Sequence, residues 1–223
     1  MKKPVFYYCY DAYCGWCYGF SPVLVKLFDA YRDRMDFDVL SGNMIPVESA
    51  RHISATAGYI AEAYKRVEEM AGVKFGDDWL WHYTNPDKSD WYPSSEKPAI
   101  ALSIAKDKNP DFAVPFAADI QKALHIEGRD LTDAEAYRHL LPQYGFKPKD
   151  FYEKLGSEEF REKAHYDFAL CRQLQVTGFP AAYIQTTDSK FYQVLRGYAD
   201  FETVRHRIDQ VLKTAGFENE PGN

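Results

Sequence analysis

Two cysteines three positions apart, Cys14 and Cys17, are the residues of this 223-residue chain best suited to chemistry. They frame Cys14-Gly15-Trp16-Cys17, between a Val- and aromatic-rich stretch and a segment with helical periodicity. At a helix N-terminus, unpaired backbone N–H groups and the positive end of the dipole favour an anion. A thiol placed there is expected to ionise below the free value of about 8.5. Cys17 follows one helical turn later, close enough to close a ring, and should be the more buried. The spacing therefore suits thiol–disulfide exchange: Cys14 attacks a disulfide and Cys17 resolves the mixed disulfide, or the cycle runs backward and oxidises a dithiol. Gly15 and Trp16 lie where a bound substrate would pass, and Trp16 must be partly exposed.

Two bland readings stand beside this one. The pair could be half of a zinc site, or two inert thiols. A closed zinc site needs four ligands. Cys9 and Cys171 form no second spaced pair, and the six histidines never fall three or four apart. No metal is expected. Cys9 and Cys171 read as core thiols, with a regulatory role as the alternative for Cys171.

Thr177-Gly178-Phe179-Pro180 is the second signal. Pro180 could be an ordinary strand entry. Alternatively it is a cis proline packed against the cysteine pair, leaving the Phe179 backbone free to pair with an extended substrate.

The elements that position these residues follow from periodicity. Residues 4–10 and 36–41 read as strands joined by a helix over 14–34, with Pro22 kinking it; together they make a parallel βαβ unit. Residues 48–175 read as almost wholly helical, with segments near 48–71, 96–107, 110–126, 132–144, 148–155 and 157–175. Asn109 and Pro110 open one of them, and Thr132 with Glu135 forms a capping box for another. Residues 77–95, holding Trp79, Trp81, Tyr83, Trp91 and Tyr92 among turn formers, are expected to be an ordered loop. These aromatics either form an insertion core or wall the active-site cleft and grip apolar substrate. A hairpin over 181–195 and a helix capped by Asp200 complete the chain, and the tail from Phe217 on is expected to fray.

A length of 223 residues allows one large domain or two small ones. Hydrophobic residues at 46% and charged residues at 27% indicate a globular chain. A net charge of −6 argues against nucleic acid or an anionic membrane as partner. Val5 to Tyr10 is too short an apolar run for a secretory signal, and nothing approaches a membrane span. Cytoplasmic residence is expected. Four cysteines are too few for a disulfide scaffold, and a reducing compartment favours a redox-active pair.

These motifs, in this order, resemble the thioredoxin superfamily. The helical stretch between the two halves resembles its DsbA-like branch, and Asp11-x-x-Cys14-Gly15-Trp16-Cys17-Tyr18-Gly19-Phe20 with the Pro180 motif is similar to the cytoplasmic FrnE-like and protein-disulfide isomerase group. The resemblance implies an α/β thioredoxin-like fold, βαβ…ββα, split into 1–47 and 166–223 around a helical insertion over 48–165. It implies Cys14 as nucleophile, Cys17 as resolving thiol, Pro180 as the cis proline and Phe179 beside the substrate. Disulfide-containing proteins or peptides become the expected substrates, with glutathione or a thioredoxin-type protein as reductant and no bound cofactor. The chain departs from the family at Tyr8, where a buried acid usually precedes the nucleophile by six residues, and at Gly15-Trp16, which lacks the histidine of strongly oxidising members. Those departures imply a pair less oxidising than DsbA. Competing readings are a glutathione-dependent transferase or isomerase of the kappa type, which usually carries a serine instead of the pair, and a non-enzymatic chaperone.

Overall fold

The computed structural model describes residues 3–217. Strand β1 (Val5–Tyr10) is followed by helix α1 (Gly15–Tyr31) and strand β2 (Asp36–Ser41). Helices α2 (Ser54–Ala71), α3 (Asp77–Thr84), α4 (Glu96–Lys108), α5 (Ala113–His125), α6 (Pro148–Leu155) and α7 (Glu158–Gln173) come next. Strands β3 (Ala181–Thr187) and β4 (Lys190–Arg196) and helix α8 (Phe201–Thr214) close the chain.

The sheet order is β2-β1-β3-β4. β1 pairs parallel with β2, from Val5↔Asp36 to Tyr10↔Ser41, and antiparallel with β3, from Val5↔Gln185 to Cys9↔Ala181. As an inner strand it is covered on both faces, fully on the Phe6, Tyr8 and Tyr10 side and partly at Val5 and Tyr7 on the other. Side chains alternate across a strand, so Phe6, Tyr8 and Tyr10 join the core beneath α1 and α8, while Cys9 faces α7 with Cys171, Leu40 and Tyr183. Tyr8 stacks on Phe20 of α1 with ring centroids 5.6 Å apart. Leu24, Leu27, Phe28 and Tyr31 continue that apolar stripe, as the 3–4 spacing requires.

Several expected boundaries move. The expected 77–95 loop contains a helix, because Trp79 and Tyr83 recur at helical spacing and both bury. Asn85 ends it by donating its side-chain amide to the Trp81 carbonyl at 3.1 Å. The expected helix over 132–144 is instead two 3₁₀ turns, Ala134–Tyr137 and Leu141–Tyr144. Thr132 is not the cap: its N–H and hydroxyl donate to Asp130 at 2.8 and 2.7 Å, and Asp133 accepts from the Glu135 N–H at 3.0 Å. Such Asp side chains satisfy local backbone donors and favour turns. Asn109 caps as expected, accepting from Asp111 N–H, but it opens a 3₁₀ turn that leads into α5. The 48–71 segment likewise divides into a 3₁₀ turn, Val47–Ser49, and α2. Asp200 caps α8 by accepting from the Thr203 N–H. Of the expected frayed tail, residues 218–223 lie outside the described residues.

A partly buried charge cluster ties the helical stretch to the sheet. Lys106 on α4 reaches Asp38 of β2 at 2.6 Å and Asp167 of α7 at 3.1 Å, and donates to the Val39 carbonyl at 2.9 Å. Burial alone would push this ammonium down, but the two carboxylates hold it above its ordinary value. Burial pushes Asp167 up to about 6, against the pull of Lys106. Among the described residues no helix is long and apolar enough to cross a membrane.

Candidate active site

Helix α1 begins just after the first cysteine, so Cys14 is its N-cap. The cap sulfur accepts a hydrogen bond from the Cys17 backbone N–H at 3.3 Å. This is the duty a Ser or Asp side chain usually performs, satisfying one of the orphan donors of the first turn. Cys14 is 6% exposed and Cys17 fully buried. The order of burial is the expected one, for a geometric reason: residue 14 ends a loop, whereas residue 17 faces the sheet one turn in. Burial is the main force raising the Cys17 thiol well above its ordinary range, reinforced by hydrogen bonding to and charge on Cys14.

The preceding loop is held from three sides. The Cys14 N–H donates to the Asp11 carbonyl at 3.1 Å. The buried Asp11 carboxylate accepts from Tyr13 N–H at 3.0 Å and from Met44 N–H, beyond β2, at 2.8 Å. Burial nevertheless raises this carboxyl above its ordinary value. From α5, His125 Nε2 lies 3.2 Å from the Ala12 carbonyl. Burial drives His125 down to about 3, so the imidazole is neutral and Nε2 carries the donated proton.

The second sequence signal comes to the same place. The Phe179–Pro180 bond is cis, and the Cys14 thiol points at the Phe179 carbonyl, 3.7 Å away. The Phe179 ring fills the space over Gly42, where a Cβ would fall 1.9 Å from ring carbon Cζ. Only glycine tolerates that approach. The two motifs thus meet at Cys14 and Phe179, although these residues lie 165 positions apart in the sequence.

The helical stretch supplies the facing wall. α2 packs so closely on the second turn of α1 that a Cβ at Gly19 would lie 2.9 Å from Val67 and 3.0 Å from Ala71. Gly15 and Trp16 border a cavity of about 70 Å³ walled by Tyr64, Phe75, Trp79 and Tyr83, with His125 among its lining. Trp79 and Phe75 meet with centroids 4.5 Å apart. The aromatics from 79 to 92 therefore divide: Trp79, Tyr83 and Trp91 are buried, while Trp81 and Tyr92 are exposed. Trp16 is half-buried, tilted against Tyr198 at 6.1 Å.

Val67, Phe75 and His125 carry no sequence signal for this site. They look like ordinary helix and loop residues until α2 and α5 are folded onto α1. Among the described residues no group of three or more His, Cys, Asp or Glu side chains could hold a metal ion.

The sequence profile of the DSBA-like thioredoxin domain matches residues 6–209, so this chain belongs to that family. No curated protein matches it. Among solved structures, it is similar to a protein from Nitrosomonas europaea assigned provisionally as a protein disulfide isomerase, with 22% identity, 96% of this chain and 99% of that one covered, and a TM-score of 0.81. It is also similar to the cytosolic disulfide reductase DsbM from Pseudomonas aeruginosa, solved with GSH: 20% identity, 94% and 99% covered, TM-score 0.70. Reduced DsbA1 from Neisseria meningitidis shares 17% identity over 96% of this chain and 84% of its own, TM-score 0.57. At these identities the structures establish a shared fold.

Proposed function

We propose that this member of the DsbA-like thioredoxin family is a dithiol–disulfide oxidoreductase that reduces or isomerises disulfides of proteins or peptides. The observation that carries the reading is the N-cap sulfur of Cys14, which accepts an amide N–H at 3.3 Å while facing the Phe179 carbonyl. In the first step the Cys14 thiolate bonds to one substrate sulfur and expels the other as a thiolate. In the second, the Cys17 sulfur displaces the substrate from Cys14, closing the Cys14–Cys17 disulfide and releasing the second substrate thiol. Two electrons pass from the pair to the substrate, and glutathione or a thioredoxin-type protein returns them.

The Phe179 backbone and the neighbouring Pro180 would align an extended substrate beside Cys14. The apolar cavity beside Gly15 and Trp16 suits an apolar residue next to the substrate cysteine. On this reading, residues 1–47 and 166–223 form the redox unit, 48–165 the recognition unit, and the protein works in the cytoplasm. There the thiol pool favours reduction and isomerisation over oxidation.

A Cys17→Ala variant used as bait tests the proposal. It should accumulate mixed disulfides through Cys14, released by reductant and absent from Cys14→Ala. An empty trap, with a thioredoxin control that captures clients, would reject the reading. Protection of unfolded clients that persists in Cys14→Ala, with insulin disulfides never reduced by the parent protein, would transfer the role to the chaperone reading.

A further inference from the structure

Tyr8 lies six residues before Cys14, on the inner strand β1, and is 1% exposed. Its ring stacks on Phe20, one helical turn beyond Cys17 on the same buried face of α1. Its hydroxyl has no hydrogen-bond partner in this state, and Cys17, Cys14 and Tyr10 are the titratable groups around it. A buried hydroxyl without a partner costs free energy. It persists where another state supplies the partner. Cys17 becomes negatively charged whenever it attacks the mixed disulfide or departs from the Cys14–Cys17 disulfide, and it does so from a fully buried position.

Resting on the dithiol reading above, we propose that the Tyr8 hydroxyl is the hydrogen-bond donor that stabilises charge on the Cys17 sulfur during resolution. The phenol keeps its proton. Burial, joined by the charges of Cys17 and Cys14, raises Tyr8 far above its ordinary range, so it donates a hydrogen bond and does not serve as a base. The balance is complete without another reactant: the Cys17 S–H proton leaves to solvent, the S–S bond to substrate breaks, the Cys14–Cys17 bond forms, and the released thiolate takes up a proton. The other titratable groups around Cys17 are Cys14, Asp11 and Tyr10. Tyr10 also lacks a hydrogen-bonded partner for its hydroxyl, and so provides a matched comparison two residues along the same strand.

Single-turnover reaction of the reduced protein with the coloured disulfide 5,5′-dithiobis(2-nitrobenzoate) separates the two steps. Attack by Cys14 releases one coloured thiolate, and resolution by Cys17 releases the second. Tyr8→Phe should slow the second phase about tenfold and the first much less. It should also move the acid limb of the second-phase pH profile upward by about one unit, because losing a donor disfavours the thiolate. Tyr10→Phe should change the second phase by less than about twofold. Equal slowing of both phases in Tyr8→Phe, or an unmoved acid limb, would overturn the inference. A parent protein that releases no coloured thiolate would instead defeat the underlying dithiol reading. If Tyr8→Phe does not fold, a fluorinated tyrosine placed at residue 8 preserves the shape and strengthens the donor. It should accelerate the second phase, and an unchanged rate would equally overturn the inference.

Discussion

Two pairs of thiols lie on opposite sides of the strand β1, and their surroundings differ in nearly every respect that governs reactivity. Cys14 and Cys17 share one turn of helix, with an amide N–H on the first sulfur and an aromatic-walled cavity alongside. Cys9 and Cys171 face each other from β1 and α7 inside a small apolar cluster. Cys171 reaches the carbonyls of Ser41 at 3.5 Å and Leu40 at 3.9 Å. The Cys9 thiol beside it, then burial, push the Cys171 thiol far above its ordinary range. Carbonyl oxygens repel a thiolate and amide donors attract one; the Cys14 sulfur also faces one carbonyl, that of Phe179, but it accepts an amide N–H as well. Phe179 packs against both clusters and separates the two environments. The contrast teaches that a thiol's chemistry belongs to the dipoles aimed at it and to the access it has.

The sharpest break of this contrast is a pair of variants. Cys14→Ser should lower disulfide turnover by more than about a thousandfold. Cys9→Ser should leave turnover near the parent's, measured as insulin-disulfide reduction. Comparable losses in both would mean that the two pairs are not chemically distinct.

A large structural effect is expected at the charge cluster behind the second pair. Lys106→Met leaves Asp167 and Asp38 without their shared cation, and should cost about 3 kcal/mol. Urea denaturation should show it as a lowered midpoint. A loss below about 1 kcal/mol would mean that this cluster is no better than a surface ion pair.

Alkaline pH sharpens the comparison further. The native-state thiol of Cys17 lies well above its unfolded value, chiefly because it is buried. As pH rises past that value the unfolded chain loses a proton that the native state keeps. The proton balance then favours unfolding, and stability falls with pH by up to about 1.4 kcal/mol per unit for this group. Urea midpoints of the reduced protein between about pH 8 and pH 10 should fall less steeply in Cys17→Ala than in the parent. Identical slopes would contradict the burial effect.

The smallest expected effect is at the second pair itself. Cys171→Ala removes one buried sulfur from a packed cluster, and should cost about 1 kcal/mol while leaving disulfide turnover intact. A loss of turnover without a loss of stability would give the second pair a redox part that its carbonyl surroundings argue against.

Much of this architecture could be read from residue order because its signals are local. A continuous Val- and aromatic-rich run specifies β1, alternation specifies β2, 3–4 spacing specifies the buried stripe of α1, and Asp200 specifies the start of α8. The CxxC spacing with a helix beginning at Gly15 places one cysteine at a cap and the other against the sheet. Local signals misled where turn-forming residues carried a helix, as over Asp77–Thr84, and where Asp130 and Asp133 drew backbone donors into turns. What residue order could not convey depends on segments far apart in the chain: the Phe179 carbonyl opposite Cys14, the aromatic wall brought in by α2 and α3, and the meeting of Cys9 with Cys171. Caps and periodicities act within a turn or two of the chain, so the sequence carries them directly. The choice of which thiol meets an amide, a carbonyl or a cavity is made only when distant surfaces exclude water together, and that choice belongs to the tertiary structure.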